Sequence, residues 1–245
     1  MPSRIVIDRS IELRGDALHE SNILGPLHER KRHDSDRFTG IALDTTNRWA
    51  TSVPGTSDSI AISEVQGGSA LITTGTADND SCMLAGAIIY SADNLAVVEF
   101  RITITDVSGT GVYVGFSDAK SEANNSIAIH YPADSLTTVA SDAAGFVIDA
   151  DHSSSLMMCA GVKANTDTTP VSSTITWTDG QTKNLRILLD ADGAATYVVD
   201  GDVVSKIANS VTDSTLLCPT VQAITRAGDG SNTVRVHSFD AWQDD

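Results

Sequence analysis

The sequence predicts an all-β protein made of antiparallel strands, and three observations support this. Short apolar runs recur from about Gly40 to the end of the chain. Clusters of Asp, Asn, Ser and Gly separate them, as expected for tight turns. No helical pattern recurs between the runs, which disfavours a parallel sheet with crossover helices. With 245 residues, of which 41% are hydrophobic, the chain is large enough for a single sandwich or barrel.

The clearest element is a hairpin within residues 184–204. Apolar side chains occupy every second position in 184–190 and again in 194–200. Asp190-Ala-Asp-Gly193 separates the two runs, and Asp200-Gly201 follows the second. Asp-Gly supplies the positive φ that tight hairpin turns need. This stretch therefore predicts a hairpin, with a second tight turn directly after it.

The remaining strands are predicted from runs of the same kind, rich in Val, Ile, Leu and Ala because only 5% of the residues are aromatic. Alternation and β-branched residues are typical of strands. In chain order, the other predicted strands are 59–65, 69–73, 82–90, 95–105, 111–117, 126–131, 145–150, 156–163, 173–177, 203–208, 216–225 and 233–242.

Residues 1–40 differ from the rest and are predicted to be an extended N-terminal arm, with the sandwich over 41–245. They hold seven basic and seven acidic side chains, whereas the other residues carry the whole net charge of −16. The polar part, 19–37, cannot bury enough apolar area to fold alone. We therefore expect this segment to become ordered on a partner. The residues predicted to dock are four aliphatic side chains and four cations: Ile5, Ile7, Ile11, Leu13, Arg30, Lys31, Arg32 and Arg37.

The charge and the hydropathy exclude several classes of protein. A net charge of −16 and a pI near 4.5 argue against nucleic-acid binding by the body of the protein. No stretch approaches the ~20 apolar residues of a membrane span, and the N-terminus lacks the apolar core of a secretory signal. We therefore expect a soluble protein made in the cytoplasm. Three cysteines, Cys82, Cys159 and Cys218, predict buried free thiols.

The last third of the chain carries a family resemblance. The segments 184–204, 210–228 and 233–243 present an Asp-Gly hairpin, a Leu-x-Pro-x-Val strand and a closing strand, and GVYVGFSDA at 111–119 adds a fourth motif. Together they resemble concanavalin A-like jelly-roll domains of the lectin/glucanase and laminin G-like group. Within this group, the domains that this sequence resembles most are those of capsid decoration and fibre proteins of tailed bacteriophages. Residues 1–40 have no counterpart in it.

The resemblance implies a jelly-roll β-sandwich and, as the preferred interpretation, a non-enzymatic virion protein. In this interpretation a cement or decoration protein, made in the host cytoplasm, docks its arm on the major capsid protein or another virion protein at the outer capsid surface. The acidic body then faces solvent. Proteins of this kind are often trimers, so a homotrimer is favoured. The alternative is a lectin-like module that binds host or environmental polysaccharide.

An enzyme is the third hypothesis, and the sequence argues against it. Glycosidases of this fold are expected to carry a Glu-x-Asp-x-x-Glu motif on one strand, because cleavage needs two neighbouring carboxylates. No two of the six glutamates lie within six positions, and 95–105 offers Glu99 alone. We therefore predict no catalytic residues, although Asp-based pairs stay open. No hydrolase elbow or phosphate-binding loop is present either.

Several aspartates could bind a metal ion and two tryptophans could contact a glycan, but structural roles also explain these residues. Asp190 and Asp192 superficially resemble a calcium loop, but position 201 is Gly where a Glu is needed. Asp149, Asp151 and His152 form a second polar cluster. Turn formation is the preferred interpretation of these aspartates, so no metal or cofactor is predicted. Separately, Trp49 and Trp177 are possible glycan contacts, with packing in the core favoured, and Trp49 could hold the arm against the body.

Overall fold

The apolar runs form strands almost throughout the described chain. A computed structural model describes residues 31–63, 67–123, 125–153, 156–226 and 232–244. The strands are β1 Lys31–Asp36, β2 Ala50–Ser52, β3 Ser59–Ser63, β4 Ser69–Thr73, β5 Ser81–Ala85, β6 Val97–Ile104, β7 Thr110–Ser117, β8 Ile129–His130, β9 Thr137–Thr138, β10 Ala143–Asp149, β11 Leu156–Lys163, β12 Thr166–Asp167, β13 Val171–Thr176, β14 Thr182–Leu189, β15 Ala195–Val199, β16 Asp202–Ile207, β17 Cys218–Thr225 and β18 Thr233–Asp244. Every predicted run contains a strand. The strands that no apolar run predicts are β1, β2, β9 and β12, which are short or polar.

Two eight-stranded antiparallel sheets contain nearly all of these strands. Sheet A has the order β16-β15-β14-β6-β18-β4-β3, and β1 also pairs with β18. Sheet B has the order β12-β11-β10-β7-β17-β5-β2, and β13 also pairs with β11. The predicted all-β, antiparallel sandwich is therefore confirmed. A single 3-10 turn, Pro132–Asp134, is the helical element of the described residues, and no helix there has the length and apolar character to cross a membrane.

The core lies between the facing surfaces of the two sheets. Phe100 and Phe239 from neighbouring strands of sheet A pack with ring centroids 5.3 Å apart. Phe146 of sheet B meets Tyr197 of sheet A edge to face at 5.3 Å, and the Tyr197 hydroxyl donates to the Ala160 carbonyl at 2.7 Å. Such tilted aromatic pairs are favourable beyond the area that they bury. The two sheets are thus joined by both apolar contact and a buried hydrogen bond.

Sheet B is buried on its outer face as well. The segment 118–142, which we call the covering segment, connects β7 to β10 and packs Ile127 and Ile129 against Tyr113 and Val147. The backbone N–H of Ala128 in this segment donates to Gln222 Oε1 at 2.6 Å. Every residue of β7, β10 and β17 is consequently buried. The open face of the sandwich is therefore the outer face of sheet A.

The hairpin within 184–204 forms as predicted. Strand β14 pairs with β15, and β15 with β16. The Gly193 N–H donates to the Asp190 carbonyl at 2.9 Å, which confirms that this segment is a turn. The second turn needs two left-handed residues, Asp200 with φ 51° and Gly201 with φ 99°. An Asp-Gly pair accommodates both at low steric cost.

The end of the predicted arm lies inside sheet A. Strand β1 pairs with β18 from Lys31↔Asp244 to Asp36↔Phe239, so the sandwich includes residues before position 41. Trp49 holds this end: its Nε1 donates to Asp36 Oδ2 at 2.8 Å, and its ring packs on Phe38. Residues 1–30, with Ile5, Ile7, Ile11, Leu13 and Arg30, lie outside the described residues, and docking by them stays a prediction.

A buried ion pair closes one end of sheet B. Arg226 Nε and Nη2 donate to the two oxygens of Asp149 at 2.9 and 2.7 Å, and the two side chains are only 2% and 0% exposed. Nη1 donates to Asn79 Oδ1 and Nη2 to His130 Nδ1. Burial, and then the neighbouring guanidinium, lower the pKa of His130. The neutral ring of His130 can therefore accept this hydrogen bond at Nδ1.

We expect Asp149→Asn to lower the free energy of unfolding by about 3–5 kcal/mol, because it removes the buried counter-charge of Arg226 and leaves the more exposed Asp151, 3.5 Å from Nε. Urea denaturation monitored by circular dichroism measures this loss. Asp190→Asn is the matched control, since Asp190 forms an exposed ion pair with Lys206 at 2.5 Å. A loss no larger in D149N than in D190N would contradict the role of the buried pair.

The environment of Glu122, in the covering segment, should make the stability of the folded protein depend on pH. Its Oε1 is buried and accepts no hydrogen bond. Burial, and then the charge of Asp118, raise the pKa of Glu122 from 4.5 to about 7. The folded protein therefore binds this proton more tightly than the unfolded chain does. As pH rises from 4.5 through 7, Glu122 ionises at a cost and the stability falls.

We expect Glu122→Gln to be more stable relative to the native protein at pH 8 than at pH 4, because glutamine has no proton to lose. Differential scanning calorimetry at both pH values gives the two differences in Tm. The contrast between them is the readout, since any packing effect of the amide is common to both. Equal differences at the two pH values would show that Glu122 does not titrate in this window.

Candidate functional site

The outer face of sheet A is polar along its central strand. In β6, Phe100 and Ile102 point into the core, and Glu99, Arg101 and Thr103 alternate with them and point outward. The period of two along a strand imposes this division. Because sheet B is covered on its outer side, these side chains lie on the face that remains open to solvent. They form the floor of the candidate site.

A groove of about 640 Å³ runs over this face. Strand β14 lies on one side of β6 and β18 on the other, and the end of β1 approaches over β18. The lining is mostly charged or hydrogen-bonding: Arg37, Gly67, Gly68, Glu99, Arg101, Thr182, Asn184, Arg186, Val198, Asp200, Gly201, His237, Ser238 and Asp240. Pockets with this polarity suit ligands rich in hydroxyl groups rather than apolar ones.

Glu99, Arg186 and Trp242 form a fixed unit at the groove. Arg186 Nε donates to Glu99 Oε2 at 2.6 Å, and Nη2 lies 2.5 Å from the same oxygen. The guanidinium also lies over the Trp242 ring, 5.8 Å from its centroid. A planar cation held by a carboxylate and an indole loses little entropy on binding a ligand. Arg186 is thus held ready to donate to a bound molecule.

Asp240 lies directly opposite Glu99 on the neighbouring strand β18. Arg37 Nη1 donates to its Oδ2 at 2.9 Å, and His33 Nε2 lies 3.7 Å from its Oδ1. Both side chains come from β1 and the chain directly after it. The predicted arm residue Arg37 therefore contributes to the groove of its own chain, while Arg32 is exposed in β1.

A β-bulge in β18 brings His237 into the groove. The register with β6 shifts between Val236 and Ser238, and bulges often redirect a side chain. His237 Nε2 is 2.8 Å from Thr103 Oγ1, which is 2.6 Å from Thr182 Oγ1. Burial, and then Arg101 and Arg235, lower the pKa of His237. The ring is therefore neutral at pH 7 and offers hydrogen bonds without adding a charge.

The arrangement can bind a polyhydroxylated ligand. Carboxylates accept hydrogen bonds from hydroxyl groups, and arginine and amide groups donate to them.

No group of three or more His, Cys, Asp or Glu side chains is placed to hold a metal ion within the described ranges. Asp149 is held by Arg226, and His152 lies 3.5 Å from Asp134. The second polar cluster suggested by the sequence therefore packs within the structure.

The tryptophans proposed as glycan contacts lie in the core. Trp49 and Trp177 are each 2% exposed, so neither presents a ring face to a sugar. Trp177 Nε1 donates to the Gln181 carbonyl at 2.9 Å. Packing, the favoured alternative, is what the structure shows. The three cysteines are free and buried, as predicted, and burial raises the pKa of each to about 12.

Sequence reasoning missed most of the groove. Asp240, Arg186 and Trp242 lie far from Glu99 along the chain, and only strand pairing brings them together. A signal was present, because the runs 95–105, 184–190 and 233–242 each alternate apolar residues with charged ones. Runs such as 111–117 lack that alternation. The alternation of apolar and charged residues therefore indicates which strands have one face open to solvent. It does not predict the order of those strands in the sheet.

Comparisons with known proteins agree on the fold. No family model matches the sequence, and no curated protein is similar to it in sequence. Among solved structures, the Emp47p carbohydrate recognition domain superposes with a TM-score of 0.59 at 14% identity, over 89% of this chain and 98% of that one. A Bacillus licheniformis β-glucanase gives 0.58 at 9% identity, over 85% and 97%. A structure described with endo-acting O-glycanases of the human gut microbiota gives 0.60 at 9%, over 86% and 99%.

These similarities correct the prediction that the chain is not an enzyme. The β-glucanase and the O-glycanase have the same fold, so the absence of a one-strand glutamate motif does not separate this chain from enzymes. The physical reason is that two carboxylates can meet across strands. Glu99 and Asp240 do so on β6 and β18.

All three similar structures are named for carbohydrate recognition or for acting on glycans. They give no support to the capsid role, and the capsid partner, the trimer and the virion location stay predictions. Their sequence identities are too low to carry over a ligand or a reaction. What they share with this chain is architecture. The chain has the concanavalin A-like lectin/glucanase jelly-roll fold.

Proposed function

We propose that this protein binds a polysaccharide in the groove on the outer face of sheet A. The observation that carries the proposal is the Glu99–Arg186–Trp242 unit beside Asp240, on the open face of the sandwich. Carboxylates and a guanidinium form hydrogen bonds to sugar hydroxyl groups, and the Trp242 ring holds the guanidinium in place. The groove is open along the face, which suits a polymer better than a small molecule.

The folds of carbohydrate-recognition and glycan-degrading proteins support this proposal over the capsid interpretation. The preferred interpretation from the sequence relied on an arm that docks through its cations. In the described residues, Arg37 of that arm pairs with Asp240 of the same chain. The predicted docking then falls to residues 1–30 and to Arg32, which is exposed in β1. A virion protein that binds glycan would be compatible with both interpretations. The groove by itself supports glycan binding and does not support a capsid role.

We expect Asp240→Asn to weaken polysaccharide binding by about tenfold, the loss of one charge-assisted hydrogen bond. Isothermal titration calorimetry or affinity electrophoresis against a panel of polysaccharides measures the change. Asp202→Asn is the matched control, because Asp202 is exposed in β16 outside the groove lining. Binding that D202N weakens as much as D240N, or that neither affects, would place the sugar elsewhere.

A second candidate function is cleavage of the bound polymer by Glu99 and Asp240. Directly opposite residues on antiparallel strands have Cβ atoms about 4.5–5.5 Å apart. Retaining glycosidases hold their two carboxyl groups about 5–5.5 Å apart. The register Asp240↔Glu99 therefore allows the two carboxyl groups to approach this separation. One residue would attack the anomeric carbon and the other would protonate the leaving oxygen.

For this candidate we expect release of reducing ends from a bound polysaccharide, with the rate falling at least about a hundredfold in both Glu99→Gln and Asp240→Asn. Product analysis by chromatography after long incubation gives the rate. D202N again serves as the control for charge. Binding without any release would leave the protein as a carbohydrate-binding module, and release that survives in E99Q would assign the chemistry to other residues.

A further inference from the structure

We propose that the polysaccharide is acidic, and that Arg101 and Arg235, on either side of His237, bind its carboxylate or sulfate groups. This inference rests on the proposed function and specifies its ligand class. It starts from a contrast within the molecule. The chain has a net charge of −16, and yet cations gather on one part of one sheet face.

Arg37, Arg101 and Arg186 line the groove, and Arg235 lies beside it on β18. These four arginines fall into two classes. Arg37 and Arg186 are neutralised, the first by Asp240 and the second by Glu99. Arg101 is exposed and forms no ion pair or hydrogen bond within the described part of the chain. The contact found there for Arg235 is a hydrogen bond from Nη1 to Ser63 Oγ at 2.8 Å. Among the residues that the structure describes, neither of these two guanidinium groups contacts a carboxylate, although the protein has an excess of carboxylates.

The two arginines are close to each other. Arg235 pairs with Thr103 across β18 and β6, and Thr103 is two positions from Arg101 on the same face. This places them one strand apart, about 4.8 Å, and about 7 Å along the strand. His237 lies between them, and its pKa is lowered first by burial and then by the charges of Arg101 and Arg235. Arginine side chains are long and flexible, so these two can bind the same anionic group or bind the anionic groups of two successive sugars.

Neutral hydrogen-bonding groups surround the pair, as a sugar ring requires. Asn184 and Ser238 are the cross-strand neighbours of Arg101, and both line the groove. The hydroxyl groups of Thr103 and Thr182 continue the polar floor. An anionic sugar can thus place its charge on the arginines and its hydroxyl groups on these side chains. Nucleic acid, the other common polyanion, is disfavoured by the acidity of the rest of the protein.

The test compares polymers of different charge on the full chain. Polygalacturonate supplies carboxylates, chondroitin sulfate supplies sulfates together with carboxylates, dextran sulfate supplies sulfates alone, and dextran and a β-glucan are neutral. We expect at least one acidic polymer to bind more than about tenfold more tightly than the neutral ones. Raising the salt concentration from about 50 to about 500 mM should weaken that binding, because ionic contacts are screened. The polymer that binds identifies the anion.

Arg101→Gln and Arg235→Gln should each reduce the affinity for that polymer by about tenfold, as expected for a lost charge-assisted contact. Lys163→Gln, which removes one positive charge from β11 in sheet B, is the matched control. Arg101 makes no ion pair or hydrogen bond within the described residues, so R101Q tests the proposal even if R235Q fails to fold. Thermal unfolding of each variant verifies the fold.

Four outcomes would overturn the proposal. Affinity that is equal for neutral and acidic polymers would remove the preference for charge, and affinity unchanged in R101Q would remove the site. Binding of neutral polymers alone would overturn this inference and leave the proposed function intact. Binding of none would overturn both.

Discussion

The burial of sheet B on both of its faces is the constraint on which the rest of the structure depends. One face of this sheet packs on sheet A, and the covering segment 118–142 closes the other. Sheet A is covered on a single side. Charged side chains that lack a buried partner are therefore favoured on the outer face of sheet A, since burying an unpaired charge under the covering segment would be costly. The buried Asp149 of sheet B is paired with Arg226. The groove follows from this asymmetry.

The same constraint explains how much of the fold could be predicted. Strands buried on one face alternate, and strands buried on both faces are apolar throughout. Residues 95–105 belong to the first kind and 111–117 to the second. The sequence therefore predicts the strands and the turns, and its patterns also indicate which sheet has a solvent-exposed face. The polar strand β1 escaped prediction because its stability comes from pairing with β18 rather than from its own side chains.

The candidate site was less predictable for a topological reason. Glu99 is the only glutamate of its own strand, so a search along that strand finds no second one. Its partner Asp240 is supplied by β18, and no local pattern states that β6 and β18 are neighbours. Trp49 shows the converse case. An aromatic residue in a polar stretch is compatible with a surface platform, but Phe38 and Phe239 surround its ring in the core.

The position of β18 has a consequence for how the protein folds. This strand follows all the others along the chain, and yet it lies inside sheet A, bonded to β6, β4 and β1. Before it inserts, β6 and β4 each expose an unpaired edge. Such distant pairing makes folding slow and leaves edges open to aggregation. Because β18 supplies His237, Ser238 and Asp240 to the groove, the groove is complete only after this strand has inserted between β6 and β4.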